Sequence, residues 1–177
     1  MLKKVLYLIL FIVILNACKS PVKDLRNELL NIVGKDVVIP KGLVPINFPD
    51  SINPYKFIEN HNYKIVVYID SLSCSECRLK KMFPWNEYFY LFYEKGVPVY
   101  IIMNTPNIQE LEYMINNLDI EFPIFIDIDG KYKKANIISN NEIFRTVLAR
   151  KTKVVLAGDP TTNNKILKLY VKEISRN

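Results

Sequence analysis

The strongest constraint on the fold of this chain is a pair of buried-strand patterns separated by a helical stretch. Residues 64–70 (KIVVYID) and 97–103 (VPVYIIM) are rich in β-branched residues, which is typical of strands covered on both faces. Residues 74–95 have a helical composition that ends at Gly96, and Pro84 within them predicts a kink. A strand, a helix and a second strand in this order predict parallel pairing through a right-handed crossover.

The rest of the domain adds a second type of strand pairing. A helix is predicted at residues 107–118, a short strand at 122–128 and a final helix at 164–174, from their apolar residues. Residues 143–149 and 154–157 flank a polar turn and predict a β-hairpin. Together the elements predict an α/β domain with a central mixed sheet that ends in a β-hairpin and a C-terminal helix.

The N-terminus has the three parts of an export signal. Two lysines give a cationic start, and eleven apolar residues follow at 5–15, too few for a transmembrane helix, which needs about 20. The motif LNAC at 15–18 resembles the lipobox of bacterial lipoproteins, in which the cysteine is acylated before cleavage. We therefore predict a signal peptide at residues 1–17 and lipidation of Cys18. An ordinary secretory peptide or an uncleaved amphiphilic anchor is the alternative.

The segment after Cys18 is predicted to connect an anchor to the domain. Residues 18–35 contain a short amphipathic helix that ends at Gly34, and they form a membrane-proximal tether. After a short strand near Val38, four prolines between residues 40 and 54 forbid a regular helix or central strand. An ordered surface loop is expected there, and the folded domain is assigned to residues 36–177.

Charge does not point to a polyanionic partner. Removal of the predicted signal leaves 160 of the 177 residues, enough for one domain, and lowers the net charge from +6 to +4. The basic residues are scattered, with no run longer than Lys133-Lys134 or Arg150-Lys151. We therefore expect neither a nucleic-acid site nor a patch for anionic lipid.

The cysteine count is more informative than the charge. With Cys18 lipidated, Cys74 and Cys77 remain as a single C-x-x-C pair in a compartment outside the reducing cytosol. A zinc site needs about four ligands, and His61 is the one histidine of the sequence, so neither a metal nor another cofactor is expected. The pair is either a static disulfide or a redox-active one.

A C-x-x-C that directly follows a buried strand, at the start of a helix, in a chain that ends with a β-hairpin and a helix, resembles the thioredoxin superfamily. The layout is most similar to membrane-tethered TlpA/ResA-like lipoproteins of the Bacteroidetes type, over about residues 40–174. This resemblance implies a three-layer α/β/α sandwich and thiol-disulfide exchange, with Cys74 as nucleophile and Cys77 as resolving thiol. A helix N-terminus at Cys74 would favour thiolate over thiol.

The resemblance also implies roles for residues outside the cysteine pair. Asp70, at the end of the preceding strand, is the candidate proton acceptor. Phe144 and Arg145 are the candidate substrate-docking residues, because they precede the hairpin strand that faces the nucleophile in this family. The family has a proline in that segment, and residues 142–146 contain none. In an alternative alignment, the strand at Pro123 takes this place.

Two functions remain open. The first is a thiol-disulfide oxidoreductase of the bacterial cell envelope, anchored to a membrane by lipid on Cys18 and facing the periplasm. Its partners would be cysteine-containing exported proteins and a thiol electron donor, and not nucleic acid. The second is a thioredoxin-fold binding or accessory lipoprotein whose cysteine pair is not catalytic.

Overall fold

The structure is a computed structural model that describes residues 21–48, 52–53, 61–70 and 82–176. The chain divides into two compact units, residues 1–31 and residues 32–177. The described part of the first unit belongs to helix α1 (Pro21–Ile32), whose last residue falls in the second unit. The role of this helix as a tether, and the predicted boundaries after residues 17 and 35, stay predictions.

The second unit consists of short strands and helices in alternation. Its described elements are β1 (Val44–Ile46), β2 (Tyr63–Ile69), α2 (Trp85–Glu94), β3 (Val99–Met103), α3 (Ile108–Asn117), β4 (Ile124–Ile126), α4 (Lys131–Ala135), a 3₁₀ helix (Glu142–Arg145), β5 (Thr146–Arg150), β6 (Lys153–Ala157) and α5 (Asn164–Ile174). None of the helices in the described part of the chain is long and apolar enough to cross a membrane.

The described strands form one six-stranded sheet in the order β1-β4-β3-β2-β5-β6. Strand β2 is parallel to β3 on one side and antiparallel to β5 on the other, and β3 and β4 are also parallel. The β5–β6 hairpin and the edge strand β1 pair in the antiparallel sense. The predicted mixed sheet, with its hairpin and C-terminal helix, is therefore confirmed.

The middle strands are covered on both faces, as their apolar sequences predict. On one face, the ring of Tyr68 stacks on Tyr132 of α4, with 5.2 Å between the ring centroids. Helix α2 buries Trp85 and Phe92, and the ring centroid of Phe92 lies 6.4 Å from that of Tyr170 in α5. Helices on both faces of the sheet make a three-layer α/β/α sandwich.

Two prolines occupy positions that differ from the prediction. Pro84 is the N-cap of α2, and residues 82–84 form turns, so no continuous helix runs through Pro84 with a kink. Pro45 lies within β1, inside the stretch expected to be a loop. Strand β1 has three residues and forms an edge of the sheet, and edge strands tolerate proline because one side needs no amide donor.

Polar segments also differ from the prediction. Residues 143–145 were expected at the start of a strand, and they belong to the 3₁₀ helix Glu142–Arg145, so that β5 begins at Thr146. Helix α4 follows β4 in a polar stretch where no helix was expected. The strand expected near Val38 is reduced to a single bridge between Asp36 and Lys153.

Candidate functional site

The three cysteines predicted to carry function, Cys18, Cys74 and Cys77, lie outside the described residues. Both flanks of the segment with the C-x-x-C pair are described, since Asp70 precedes this segment and Met82 follows it. The described residues that flank residues 71–81, here called the C-x-x-C segment, form the surroundings of the candidate site.

The C-x-x-C segment follows the carboxyl end of the central strand β2. Thr146 of β5 lies opposite Val67, and Met103 of β3 lies opposite Ile69. The amide of Asn104 donates to the carbonyl oxygen of Ile69 at 2.9 Å, which extends the parallel ladder by one residue. Ligands of open α/β sheets bind beyond the carboxyl ends of the strands, so this edge is the expected position of a site.

A cavity of about 340 Å³ lies at this edge of the sheet. The described residues that line it come from β2, from the turn before α2, from the 3₁₀ helix with the start of β5, and from the loop before α5. Val67, Ile69 and Met82 provide apolar walls, whereas Arg145 and Asp159 provide charged ones. A cavity of this size can accept a small ligand or the side chains of a bound peptide.

The segment with Phe144 and Arg145 adjoins the carboxyl end of β2, because the strand that follows it, β5, pairs with β2. Pro123 immediately precedes β4, which pairs with β1 and β3 and not with β2. The strand order therefore favours the alignment in which the Phe144 segment, and not the Pro123 segment, is next to the C-x-x-C segment.

Arg145 is held by the loop that precedes it. Its Nε donates to the carbonyl of Ser139 at 3.0 Å and its Nη2 to that of Asn140 at 3.4 Å, while its Nη1 lies 3.8 Å from a carboxylate oxygen of Glu142. The side chain is 17% exposed. Phe144 packs against the hydrophobic core. These contacts give both residues a structural role, and the docking role stays a prediction.

Asp70 is a buried carboxylate at the end of β2, with 5% of its surface exposed. It accepts a hydrogen bond from Nζ of Lys133 at 3.1 Å. Because side chains alternate along a strand, Asp70 lies on the same face of the sheet as Tyr68, which α4 covers. Lys133 belongs to α4 and is about half exposed, so it balances this carboxylate from the solvent side. The role of Asp70 as proton acceptor stays a prediction.

Two residues that shape this region were not singled out from the sequence. Asp127 is 2% exposed and accepts hydrogen bonds from the amides of Lys131 and Tyr132, each at 2.8 Å, so that it caps α4. Asp127 lies four positions before the first residue of α4, outside the N-cap position at which a capping residue is recognised from sequence. No local signal marks Lys133 as the partner of Asp70, because 63 positions separate the two residues.

The described titratable groups of this region show no cluster of metal ligands. Among the residues that the structure describes, no three His, Cys, Asp or Glu side chains are grouped so that they could hold a metal ion. Burial raises the pKa of Tyr132 well above its usual range, and the neighbouring Tyr68 raises it further. The phenol of Tyr132 is therefore neutral at physiological pH.

No protein-family model matches the sequence, and no curated protein matches it. Solved structures do resemble it in fold. A candidate thiol:disulfide interchange protein DsbE from Chlorobium tepidum has a TM-score of 0.53 and 15% identity, over 80% of this chain and 97% of that one. For a candidate protein disulfide isomerase from Bacteroides thetaiotaomicron, the TM-score is 0.53 and the identity 16%, over 81% and 92%.

A third similar structure is a cysteine-to-serine mutant of PrxQ from Xylella fastidiosa. Its TM-score is 0.56 at 12% identity, over 80% of this chain and 96% of that one. Identities this low carry an argument about the fold and not about activity. The sheet order and these similarities together show that the chain has a thioredoxin-like α/β fold.

Proposed function

We propose that this chain is a thiol-disulfide oxidoreductase of the bacterial cell envelope, anchored to a membrane through Cys18 and acting on exported proteins through Cys74 and Cys77. The observation that carries the proposal is the position of the C-x-x-C segment in the fold. It directly follows the carboxyl end of β2, the strand that lies between parallel β3 and antiparallel β5. This edge is where sheets of this kind hold their functional groups.

Covalent geometry limits how far the cysteines can lie from this edge. One residue spans at most about 3.6 Å of chain, so the Cα of Cys74 is within roughly 14 Å of that of Asp70. Cys77 precedes Met82 by five residues, which limits their Cα separation to roughly 18 Å. Met82 itself lines the cavity. These limits are compatible with the proposal that both cysteines act at this cavity, whose apolar walls suit the side chains of a protein substrate.

Disulfide exchange at such a pair needs no cofactor. In the direction of reduction, the thiolate of Cys74 attacks one sulfur of a substrate disulfide, forms a mixed disulfide and releases the other sulfur as a thiolate. Cys77 then gives up its proton and attacks the sulfur of Cys74, which forms the Cys74–Cys77 disulfide and releases the second substrate sulfur. Asp70 is the proposed acceptor of that proton, and a thiol electron donor restores the dithiol.

The proposed reaction class agrees with the names of structurally similar proteins. Two of them are described as a candidate thiol:disulfide interchange protein and a candidate protein disulfide isomerase. The chain shares their fold, and its sequence supplies the cysteine pair that such a reaction requires.

Cysteine variants test the proposal. In the full chain, Cys77→Ser leaves the attacking thiol without a resolving partner, so mixed disulfides with exported proteins accumulate as bands that a reductant removes on denaturing gels. Cys74→Ser removes the attacking thiol and is expected to give no such bands. The variant with both substitutions is the background control. Equal bands from the two single variants, or none from either, would contradict the proposal.

A binding or accessory role with an idle cysteine pair is the second candidate. The observation that favours it is Arg145, which stands in the segment where the family has a proline and whose guanidinium is bound to its own loop. In this role, Cys77→Ser traps nothing and the pair does not exchange with a small dithiol.

A further inference from the structure

The turn between β5 and β6 lies at the end of the sheet opposite the cavity. Arg150 is opposite Tyr63, the first residue of β2, and the amide of Lys151 donates to the carbonyl of Asn62 at 2.6 Å. Strand β2 is seven residues long, which corresponds to roughly 20 Å at about 3.3 Å per residue. This turn and the C-x-x-C segment are therefore at opposite ends of the central strand.

The last turn of α5 lies beside the β5–β6 turn. A carboxylate oxygen of Glu173 is 3.7 Å from Nη1 of Arg150, and the other is 3.1 Å from Nη1 of Arg176. The hydroxyl of Tyr63 donates to the carbonyl of Glu173 at 3.0 Å. Lys172, the preceding residue, is exposed. Helix α5 thus brings its C-terminal cations to the amino end of β2.

The chain enters the second unit at the same place. Three backbone hydrogen bonds of 2.6 to 2.9 Å join residues 34–37 to residues 152–154. The carboxylate of Asp36 accepts from Nζ of Lys153 at 2.7 Å and from the hydroxyl of Thr152 at 2.9 Å. Residues 34–37, here called the entry strap, are therefore fixed to the β5–β6 turn.

These contacts gather basic residues that are scattered in the sequence. The resulting surface, here called the basic end, consists of Lys35, Arg150, Lys151, Lys153, Lys172 and Arg176. Arg150, Lys153 and Arg176 are each more than half exposed. The carboxylates that the contacts bring to this surface are Asp36 and Glu173, and six cations outnumber them. The basic end therefore carries a net positive charge, although its basic residues are far apart in the sequence.

We propose that the basic end rests on the anionic phospholipid surface of the membrane that holds the chain, so that the C-x-x-C end points away from the bilayer. The inference rests on the proposed function for the lipid on Cys18, which is sixteen positions before Gly34. The second unit begins just before the entry strap, so a lipid on Cys18 would be joined through the chain to the end of the domain that carries the basic residues.

The charge and the entry point support the same orientation. Each basic residue near an anionic bilayer strengthens the attraction by roughly fivefold. With the basic end on the bilayer, the cavity lies roughly a strand length, about 20 Å, above the lipid surface. The substrates that reach it are then water-soluble exported proteins and not proteins embedded in the membrane.

Lysine footprinting of the full lipidated chain tests the orientation. Mass spectrometry first establishes that the N-terminal peptide begins with acylated Cys18. The chain is reconstituted in vesicles of phosphatidylcholine, with or without phosphatidylglycerol, and acetylated briefly. We expect labelling of Lys35, Lys151 and Lys172 to fall roughly fivefold on the anionic vesicles and to recover at high salt. Labelling of Lys165, in the first turn of α5, should be the same on both vesicles.

Charge reversals on α5 provide matched variants. Lys172→Glu is expected to weaken the protection of Lys35 and Lys151 by several-fold, whereas Lys165→Glu makes the same charge change at the other end of the helix and should leave it intact. Equal labelling on both vesicles, protection of Lys165 instead, or protection that appears only with an acidic protein overturns the proposal. An N-terminal peptide without lipid overturns it together with the anchor.

Trapping by Cys77→Ser separates this inference from the proposed function. Footprinting does not depend on the cysteine pair, so trapped partners combined with unprotected lysines refute the orientation alone. Protected lysines without trapping refute the oxidoreductase and leave the orientation standing.

Discussion

The ion pair between Asp70 and Lys133 links the end of β2 to α4. A buried carboxylate is costly unless its charge is balanced, and the ammonium group of Lys133 lies 3.1 Å from it. Because Lys133 is about half exposed, water screens part of the attraction. The pair is therefore expected to contribute to stability less than a fully buried pair would.

Removing this partner should destabilise the domain. Lys133→Met removes the ammonium group that lies 3.1 Å from the buried carboxylate, and we expect the free energy of unfolding in urea to fall by about 1–2 kcal/mol. Lys134→Met is the matched control, because Lys134 donates to an exposed carbonyl of Asp129, and it should change that free energy by less than about 0.5 kcal/mol. In a double-mutant cycle with Asp70→Asn, strictly additive losses would contradict a direct interaction.

Single residues could be assigned from the sequence where their signal is local. Asp70 was found because it ends an apolar strand, whereas Asp127 was missed because it accepts from the first amides of α4 from four positions before that helix. The pairing of Lys133 with Asp70 and the hydrogen bonds of Arg145 to its own loop could not be predicted. They depend on how distant segments and a 3₁₀ helix fold together. The roles proposed for Cys74 and Cys77 rest on the sequence motif and the family resemblance.

At the scale of elements, Gly158 joins the hairpin to α5. Its φ of +136° lies in a region that residues with a side chain rarely adopt, and a Cβ built there would lie 3.0 Å from Cδ1 of Ile166. Its amide donates to the carbonyl of Thr146 at 2.8 Å, and its carbonyl accepts from the hydroxyl of Tyr170 at 2.8 Å. A single glycine thus fixes β5, β6 and α5 at the cavity end of the sheet.

Substitution of this glycine should be costly. Gly158→Ala is expected to lower the free energy of unfolding by about 2–3 kcal/mol, because it combines backbone strain with a close contact. Gly96→Ala provides the comparison, since Gly96 has a φ of +71° but open space around its Cα, and its cost should be about 1 kcal/mol. Thermal and urea unfolding measure both variants, and equal losses would contradict a special constraint at Gly158.

The elements differ in how far the sequence determines them. Strands β2 and β3 were predicted because short runs of apolar, β-branched residues favour strands that are covered on both faces. The 3₁₀ helix and α4 were missed, since short polar segments take their conformation from capping side chains such as Asn141 and Asp127. Pro45 led to the prediction of a loop. A strand can contain this proline because β1 lies at an edge, and the edge position depends on the whole sheet.

For the molecule as a whole, buried tyrosines set a limit at alkaline pH. Burial raises the pKa of Tyr100, Tyr132 and Tyr170. In the unfolded chain, a tyrosine ionises near pH 10, so the folded state binds these protons more tightly. The resulting contribution to the free energy of unfolding is fully present below roughly pH 10. It is lost as the pH rises from there towards the pKa values of these tyrosines in the folded state.

The expected loss can be measured as a function of pH. Between about pH 10 and 11, each of the three tyrosines should lower the free energy of unfolding by roughly 1 kcal/mol, or about 3 kcal/mol together. In Tyr132→Phe the loss over this interval should be about one third smaller. Urea unfolding at several pH values tests this, and an unchanged pH slope in the variant would contradict a neutral, buried phenol at this position.

The overall architecture was more predictable than the surface. Alternating strands and helices were enough to indicate the mixed sheet, the hairpin and the final helix, because each element must bury one apolar face. The basic end could not be predicted, since the entry strap, the β5–β6 turn and the end of α5 are far apart along the chain. The basic residues form a cluster only after the sheet has brought these segments together.

The entry strap has a further consequence for solubility. An open sheet edge is a template on which another extended chain can pair and aggregate. In the described sheet, β1 ends one side with three residues and a proline, and the strap covers part of β6 on the other. A protein proposed to act on exported proteins meets such extended chains whenever a substrate is not yet folded. By pairing with the start of β6, residues 34–37 leave less of this edge open to pairing with another chain.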